Sequence, residues 1–130
     1  YSVRRIEFKK AGLWFKEHAD SDSRLLLTES SVVRYYTGLS SERLYPTELL
    51  HATTTDAFIR EIRSLGVTHV YIDDFYIRRL QTHDKNALDR KAPLLKELRT
   101  RIADYPELQL VHTIRVEPDI AGYLYTVRTR

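Results

Sequence analysis

Arg24-Leu25-Leu26-Leu27-Thr28-Glu29-Ser30-Ser31-Val32-Val33-Arg34-Tyr35-Tyr36-Thr37-Gly38 is the stretch that decides the fold. Four apolar or β-branched residues in a row, Leu25 to Thr28, suit a short strand covered on both faces, and such strands belong to parallel sheets packed between helices. Glu29, Ser30 and Ser31 interrupt the apolar run, and the residues up to Thr37 continue as a short helix that Gly38 stops. Thr28 to Ser31 then sit where the carboxyl end of a strand meets a helix amino terminus, the usual place for ligands in open α/β sheets. Two readings of Glu29-Ser30-Ser31 stand side by side. Free amides and the helix dipole could hold an anion or a sugar hydroxyl, or Ser30 or Ser31 simply caps the helix. No G-x-G-x-x-G or Walker sequence occurs in the chain, which favours the cap and argues against nucleotide binding through a known phosphate loop.

On the amino-terminal side of this stretch, residues 3–18 are helical by composition, with Ala11, Trp14, Phe15 and His18 on one face and Lys9, Lys10, Lys16 and Glu17 directed to solvent. Asp20-Ser21-Asp22-Ser23 is a turn. Downstream, residues 43–46 form a short edge strand closed by Pro46. Thr55 or Asp56 caps a helix over residues 57–65, whose stripe is Phe58, Ile59, Ile62 and Leu65, and Gly66 ends it. Residues 67–73 make a second buried strand with Asp73 and Asp74 at its carboxyl end, so the two strands are expected to be parallel neighbours joined by a right-handed crossover. Residues 75–90 lack periodicity and read as a loop. Pro93 opens a helix through Tyr105 with Leu94, Leu95, Leu98 and Ile102 inward. Residues 108–116 alternate as a strand, although Val111 interrupts its polar side, and Tyr123 to Val127 return antiparallel. The expected fold is one three-layer α/β domain over residues 1–130, a mainly parallel sheet flanked by helices and ending in an antiparallel hairpin.

Composition narrows the function classes. The 130 residues suffice for one core, and 21 basic against 18 acidic side chains leave a net charge of +3. The basic residues are scattered pairs such as Arg4-Arg5, Lys9-Lys10 and Arg78-Arg79, not the continuous patch that nucleic acid requires. Without Cys there is neither a disulfide nor a thiolate metal site. No apolar run is long enough to span a membrane. The chain has no Met and starts at Tyr1, which suggests a domain excised from a longer protein.

The candidate chemistry is sparse. Asp73 and Asp74 could hold a metal or act as a general base, or serve as turn and cap residues; adjacent strand residues point to opposite faces, so a paired-carboxylate mechanism is disfavoured. The five His, at 18, 51, 69, 83 and 112, lack the spacing that puts two imidazoles on one helix face, and no G-x-S-x-G nucleophile elbow occurs. No metal site and no cofactor are expected. In Arg34-Tyr35-Tyr36, one tyrosine should pack on the sheet while the other, with Arg34, lines the mouth above it, where it could stack on a sugar. A soluble cytoplasmic domain that binds a small anionic ligand through Thr28 to Ser31 and Asp73 is one function these residues allow.

Gly12-Leu13-Trp14-Phe15, Thr28-Glu29-Ser30, Val33-Arg34-Tyr35-Tyr36-Thr37-Gly38 and Gly66-Val67-Thr68-His69-Val70-Tyr71-Ile72-Asp73, in that order, carry a resemblance. Together with the last two strands they resemble the soluble carboxy-terminal domain of polytopic membrane glycosyltransferases of the GT-C class, similar to dolichyl-phosphate-mannose protein mannosyltransferases. The resemblance implies a domain on the outer, periplasmic or extracellular, face of the cytoplasmic membrane, tied to the membrane-embedded part of the same polypeptide. It also implies a polyprenyl-phosphate sugar donor, a glycan or lipid-linked acceptor, and catalytic acids located in the membrane part, so that this chain contributes no catalytic residue. The sequence departs from the family pattern at Leu39, where an Arg often follows the glycine.

Overall fold

Helices α1 (Arg4–His18) and α2 (Ser30–Thr37) flank the first strand, β1 (Leu25–Leu27), in a computed structural model that describes residues 4–28, 30–74, 92–116 and 119–128. The chain continues through β2 (Leu44–Pro46), α3 (Thr55–Ser64), β3 (His69–Asp73), α4 (Ala92–Thr100), β4 (Leu108–Val116) and β5 (Asp119–Val127). Single 3₁₀ turns occupy Ser41–Arg43, Thr47–Leu49 and Ile102–Asp104. The five strands form one open sheet in the order β2-β1-β3-β5-β4. β1 pairs in parallel with β2 and β3, whereas β5 runs antiparallel to β3 and β4, so the α/β sheet is mixed, with as many antiparallel as parallel pairings. The expected loop over residues 75–90 lies outside the described residues.

The three leucines of β1 explain why helices cover both faces. Leu25 and Leu27 join Phe8, Ala11 and Phe15 of α1 and Val33 of α2, while Leu26 turns to Phe58 and Ile62 of α3 and Leu95 and Leu98 of α4. All three are fully buried, and burying an aliphatic side chain of this size contributes about 1.5–3 kcal/mol. The same alternation continues in β3, where Val70 and Ile72 face α3 and α4 and Tyr71 faces α1.

Register is set at Arg24. Its carbonyl accepts the backbone N–H groups of both Thr68 and His69 at 3.0 Å, and its own N–H donates to the Thr68 hydroxyl at 2.9 Å. Its guanidinium donates to the carbonyl of Leu65 at 2.7 Å and to that of Glu42 at 3.0 Å. One residue thereby aligns the starts of β1 and β3 and fixes the turn leading into β2.

The helix ends follow their glycines. Gly38 and Gly66 both have φ of 74°, the left-handed conformation that glycine adopts without strain. After α3, Val67 N–H reaches the Ile62 carbonyl and Gly66 N–H that of Arg63, which satisfies carbonyls at the helix terminus. The cap of α3 is Thr54, whose hydroxyl accepts the Ala57 N–H, rather than Thr55 or Asp56. Thr55 is instead buried, with its hydroxyl bonded to that of Tyr105, and Tyr105 also donates to Asp56. α4 stops at Thr100, short of Tyr105, and a 3₁₀ turn completes the segment.

Two details shape the far side of the sheet. Val111 has no partner in the β4–β5 ladder, which pairs Leu110 with Tyr125 and then His112 with Leu124. That extra residue is a β-bulge, and it exchanges the two faces of β4: Leu108 packs with α3 and α4, while Ile114 packs with α1. The interruption visible in the sequence at Val111 is this bulge. The second detail is Gly122, over which the Tyr71 ring lies. A Cβ there would sit 2.5 Å from Tyr71 Cζ. Gly122→Ala should destabilise the domain by about 1–3 kcal/mol through overpacking, read from urea unfolding, and Tyr71→Leu should make the alanine less costly in a double-mutant cycle.

Candidate functional site

Edge strand β2 has a neighbour on one side only, and beside it the surface opens into a groove of about 340 Å³. Ser30 and Arg34 of α2 form one wall, and Leu44, Tyr45 and Pro46 of β2 another, with Arg24, Ser41 and Leu49 completing the lining among the described residues. α2 is positioned there by its buried side, Val32, Val33 and Thr37. The Thr37 hydroxyl donates to the Val33 carbonyl at 2.7 Å, and Lys16 of α1 donates to the Thr37 carbonyl at 2.6 Å. Gly12 lets α1 and α2 approach this closely, since a Cβ would overlap Val33 Cγ1.

The structure sorts the residues singled out from the sequence into separate places. Ser30 and Arg34 meet in the groove. Ser31 is exposed, and both serines lie in the first turn of α2. Glu29 lies outside the described residues. The expectation that one tyrosine of the pair packs on the sheet is corrected: Tyr35 is 82% exposed and Tyr36 39%. The helix turns Val32, Val33 and Thr37 inward, and the two rings meet edge to face on the outside at 5.1 Å, with Lys9 Nζ 4.8 Å from the Tyr36 centroid.

Asp73 ends β3, whereas Asp74 lies beyond the strand, and the two side chains have different surroundings. Asp73 is buried, as is Glu7 of α1, and the charges of both act on the buried Tyr71. Burial, followed by the negative charges of Asp73, Glu7 and Asp74, pushes the Tyr71 phenol well above its ordinary value. The phenol therefore stays neutral, and its oxygen has no hydrogen-bond partner among the described residues. Asp74 lines a second, smaller groove with Lys96, Arg99 and Thr100 of α4. There the Arg99 guanidinium lies 3.9 Å from the Tyr123 centroid and donates to the Tyr125 hydroxyl at 3.2 Å. Neither aspartate is among the described residues that line the Ser30–Arg34 groove, while Thr28 and Asp73 both lie at the carboxyl ends of the adjacent parallel strands β1 and β3.

A third constellation comes from histidines. His18 and His112 stack on Trp14 with centroids at 4.4 and 5.1 Å, and His69 lies 6.5 Å from the same ring. The spacing of Trp14 and His18 on one helix turn was legible, but the arrival of His112 depends on the bulge at Val111. Among the described residues no three His, Asp or Glu side chains are grouped to hold a metal ion, and no helix is long and apolar enough to cross a membrane.

Comparison with known proteins gives no match. No family model, no curated protein and no solved structure matches the chain. The site is therefore read from its own chemistry.

Burial, with a smaller push from Arg43, lowers the pKa of His69 despite the opposing charge of Asp20; burial and then His18 lower that of His112. The folded state thus binds these protons less readily than the unfolded chain, so stability is full above the ordinary value of 6.5, falls as pH drops through it, and levels off below the folded values. Urea midpoints should decrease between pH 7.5 and 5, and His69→Gln should flatten that slope; an unchanged slope would refute the assignment.

Proposed function

We propose that this chain is a non-catalytic, extracytoplasmic accessory domain of a membrane glycosyltransferase that uses a polyprenyl-phosphate sugar donor. The membrane-embedded part of the same polypeptide holds it at the outer face of the cytoplasmic membrane, where it shapes the side that receives a glycan or lipid-linked acceptor. Catalysis belongs to the membrane part.

One observation carries this reading: residues from three of the segments in which the resemblance lies pack together on the α1–α2 side of the sheet. Gly12 of α1 fits against Val33 of α2, and Phe15 and Val33 share a core with Leu25, Leu27 and Tyr71 of β1 and β3. Residues up to 59 positions apart in the chain thus meet in one core, while Val67, Val70 and Ile72 of the last segment pack on the opposite side with α3 and α4. Outside this unit, exposed Tyr35 and Tyr36 with Lys9 present aromatic faces and an ammonium together. Amphipathic side chains of this kind suit a glycan or the headgroup layer of a membrane. On this reading the helices on the two sides of the sheet make a three-layer scaffold whose α1–α2 side is the working one.

Removing residues 1–130 from the parent polypeptide should sharply reduce sugar transfer from a polyprenyl-phosphate donor while the membrane part still accumulates in the bilayer. The isolated domain should transfer no sugar. Full activity after a clean deletion would sink the accessory role.

A further inference from the structure

We propose that the groove along β2 binds an anionic monosaccharide, a hydroxylated ring that carries one phosphate or one carboxylate. The charge of the lining points to an anion. It contains two guanidiniums, those of Arg24 and Arg34, and no carboxylate among the described residues. Among the described residues the Arg24 guanidinium donates only to neutral carbonyls, those of Glu42 and Leu65, so its positive charge is anchored there without being cancelled by them. Arg34 is exposed on α2 and forms no ion pair among the described residues, which leaves a planar fork of donors at the groove wall. Glu42 and Glu48, which neighbour lining residues in sequence, stand in the flanking 3₁₀ turns and are not part of the lining, and Glu29, next to Ser30, lies outside the described residues.

The rest of the lining selects the body of the ligand. Tyr45, Pro46 and Leu49 offer apolar and aromatic surface, against which the C–H face of a sugar ring packs. Leu49 is 54% exposed, so this surface is available and is not closed over by the fold. Ser30 and Ser41 add hydroxyls that can exchange hydrogen bonds with those of the ring. At about 340 Å³ the groove falls at the lower end of the roughly 300–1,000 Å³ spanned by small-molecule sites. That volume suits one ring and one anionic group. Because β2 is an edge strand with Pro46 at its end, the ligand enters from the side without displacing a strand.

Only the lining of the groove carries this inference, so it stands apart from the accessory-domain reading. Amide NMR titration of the 130-residue chain tests it with four probes: glucose 6-phosphate, glucuronate, glucose and inorganic phosphate. At least one of the two anionic sugars should give saturable shifts centred on residues 30–34 and 41–49, and whichever binds more tightly tells phosphate from carboxylate. Glucose and inorganic phosphate should each bind about tenfold or more weakly, and Arg34→Gln should weaken the preferred sugar by about tenfold or more. Ser41→Ala, a smaller change, should weaken it several-fold, with thermal melting unchanged in both variants. The proposal is overturned if neither anionic sugar binds, if inorganic phosphate binds as tightly as the sugars, or if Arg34→Gln leaves affinity as it was.

Discussion

The bonds around Arg24 are the constraint on which the rest of this structure depends. A three-residue strand such as β1 has little hydrogen bonding of its own, and parallel pairing needs its register set by something outside the ladder. Arg24 supplies that by binding Thr68 and His69 through its backbone and Leu65 and Glu42 through its side chain. A slip of one residue would send Leu25 and Leu27 to the α3–α4 side and strip both cores of their centre. The same guanidinium ends in the groove beside β2, so the residue that aligns the sheet also charges its edge.

The elements were legible where local chemistry decides them. Gly38 and Gly66 mark real left-handed stops, the apolar stripe of α3 is buried as its spacing requires, and the short strand closed by Pro46 does lie at the edge. Errors arose where several acceptable partners compete within a few residues. Thr54, Thr55 and Asp56 can each cap a helix; Thr54 does so because Thr55 and Asp56 are engaged by Tyr105, about 50 residues away. Tyr35 and Tyr36 were expected to divide between core and rim, but Val32 and Val33 take the inward positions of a helix only eight residues long.

The candidate site was legible only in part, because its two halves come from different segments. Ser30 and Arg34 could be picked out from their place after β1, whereas Ser41, Tyr45 and Leu49 acquire meaning only once β2 pairs with β1. The aspartates illustrate the reverse. They follow one another at a strand end, yet Asp73 is buried on the Tyr71 side of β3 while Asp74, beyond the strand, lines a groove with Lys96 and Arg99, and neither is part of the lining that holds Ser30. The sheet therefore separates an acidic, buried interior at the end of β3 from a cationic, open flank at β2.

The bulge at Val111 also bears on what the outer edge of the sheet offers to another strand. β4 is nine residues long and lies at the outer edge of the sheet, with Leu110 and Val111 partly exposed. A straight edge of that length would present a regular row of amides and carbonyls on which another chain could add a strand. By breaking the row near its middle and twisting the second half of the strand, the extra residue leaves two short, misaligned segments. The irregularity that brings His112 onto Trp14 thus also makes this edge a poorer template for strand addition.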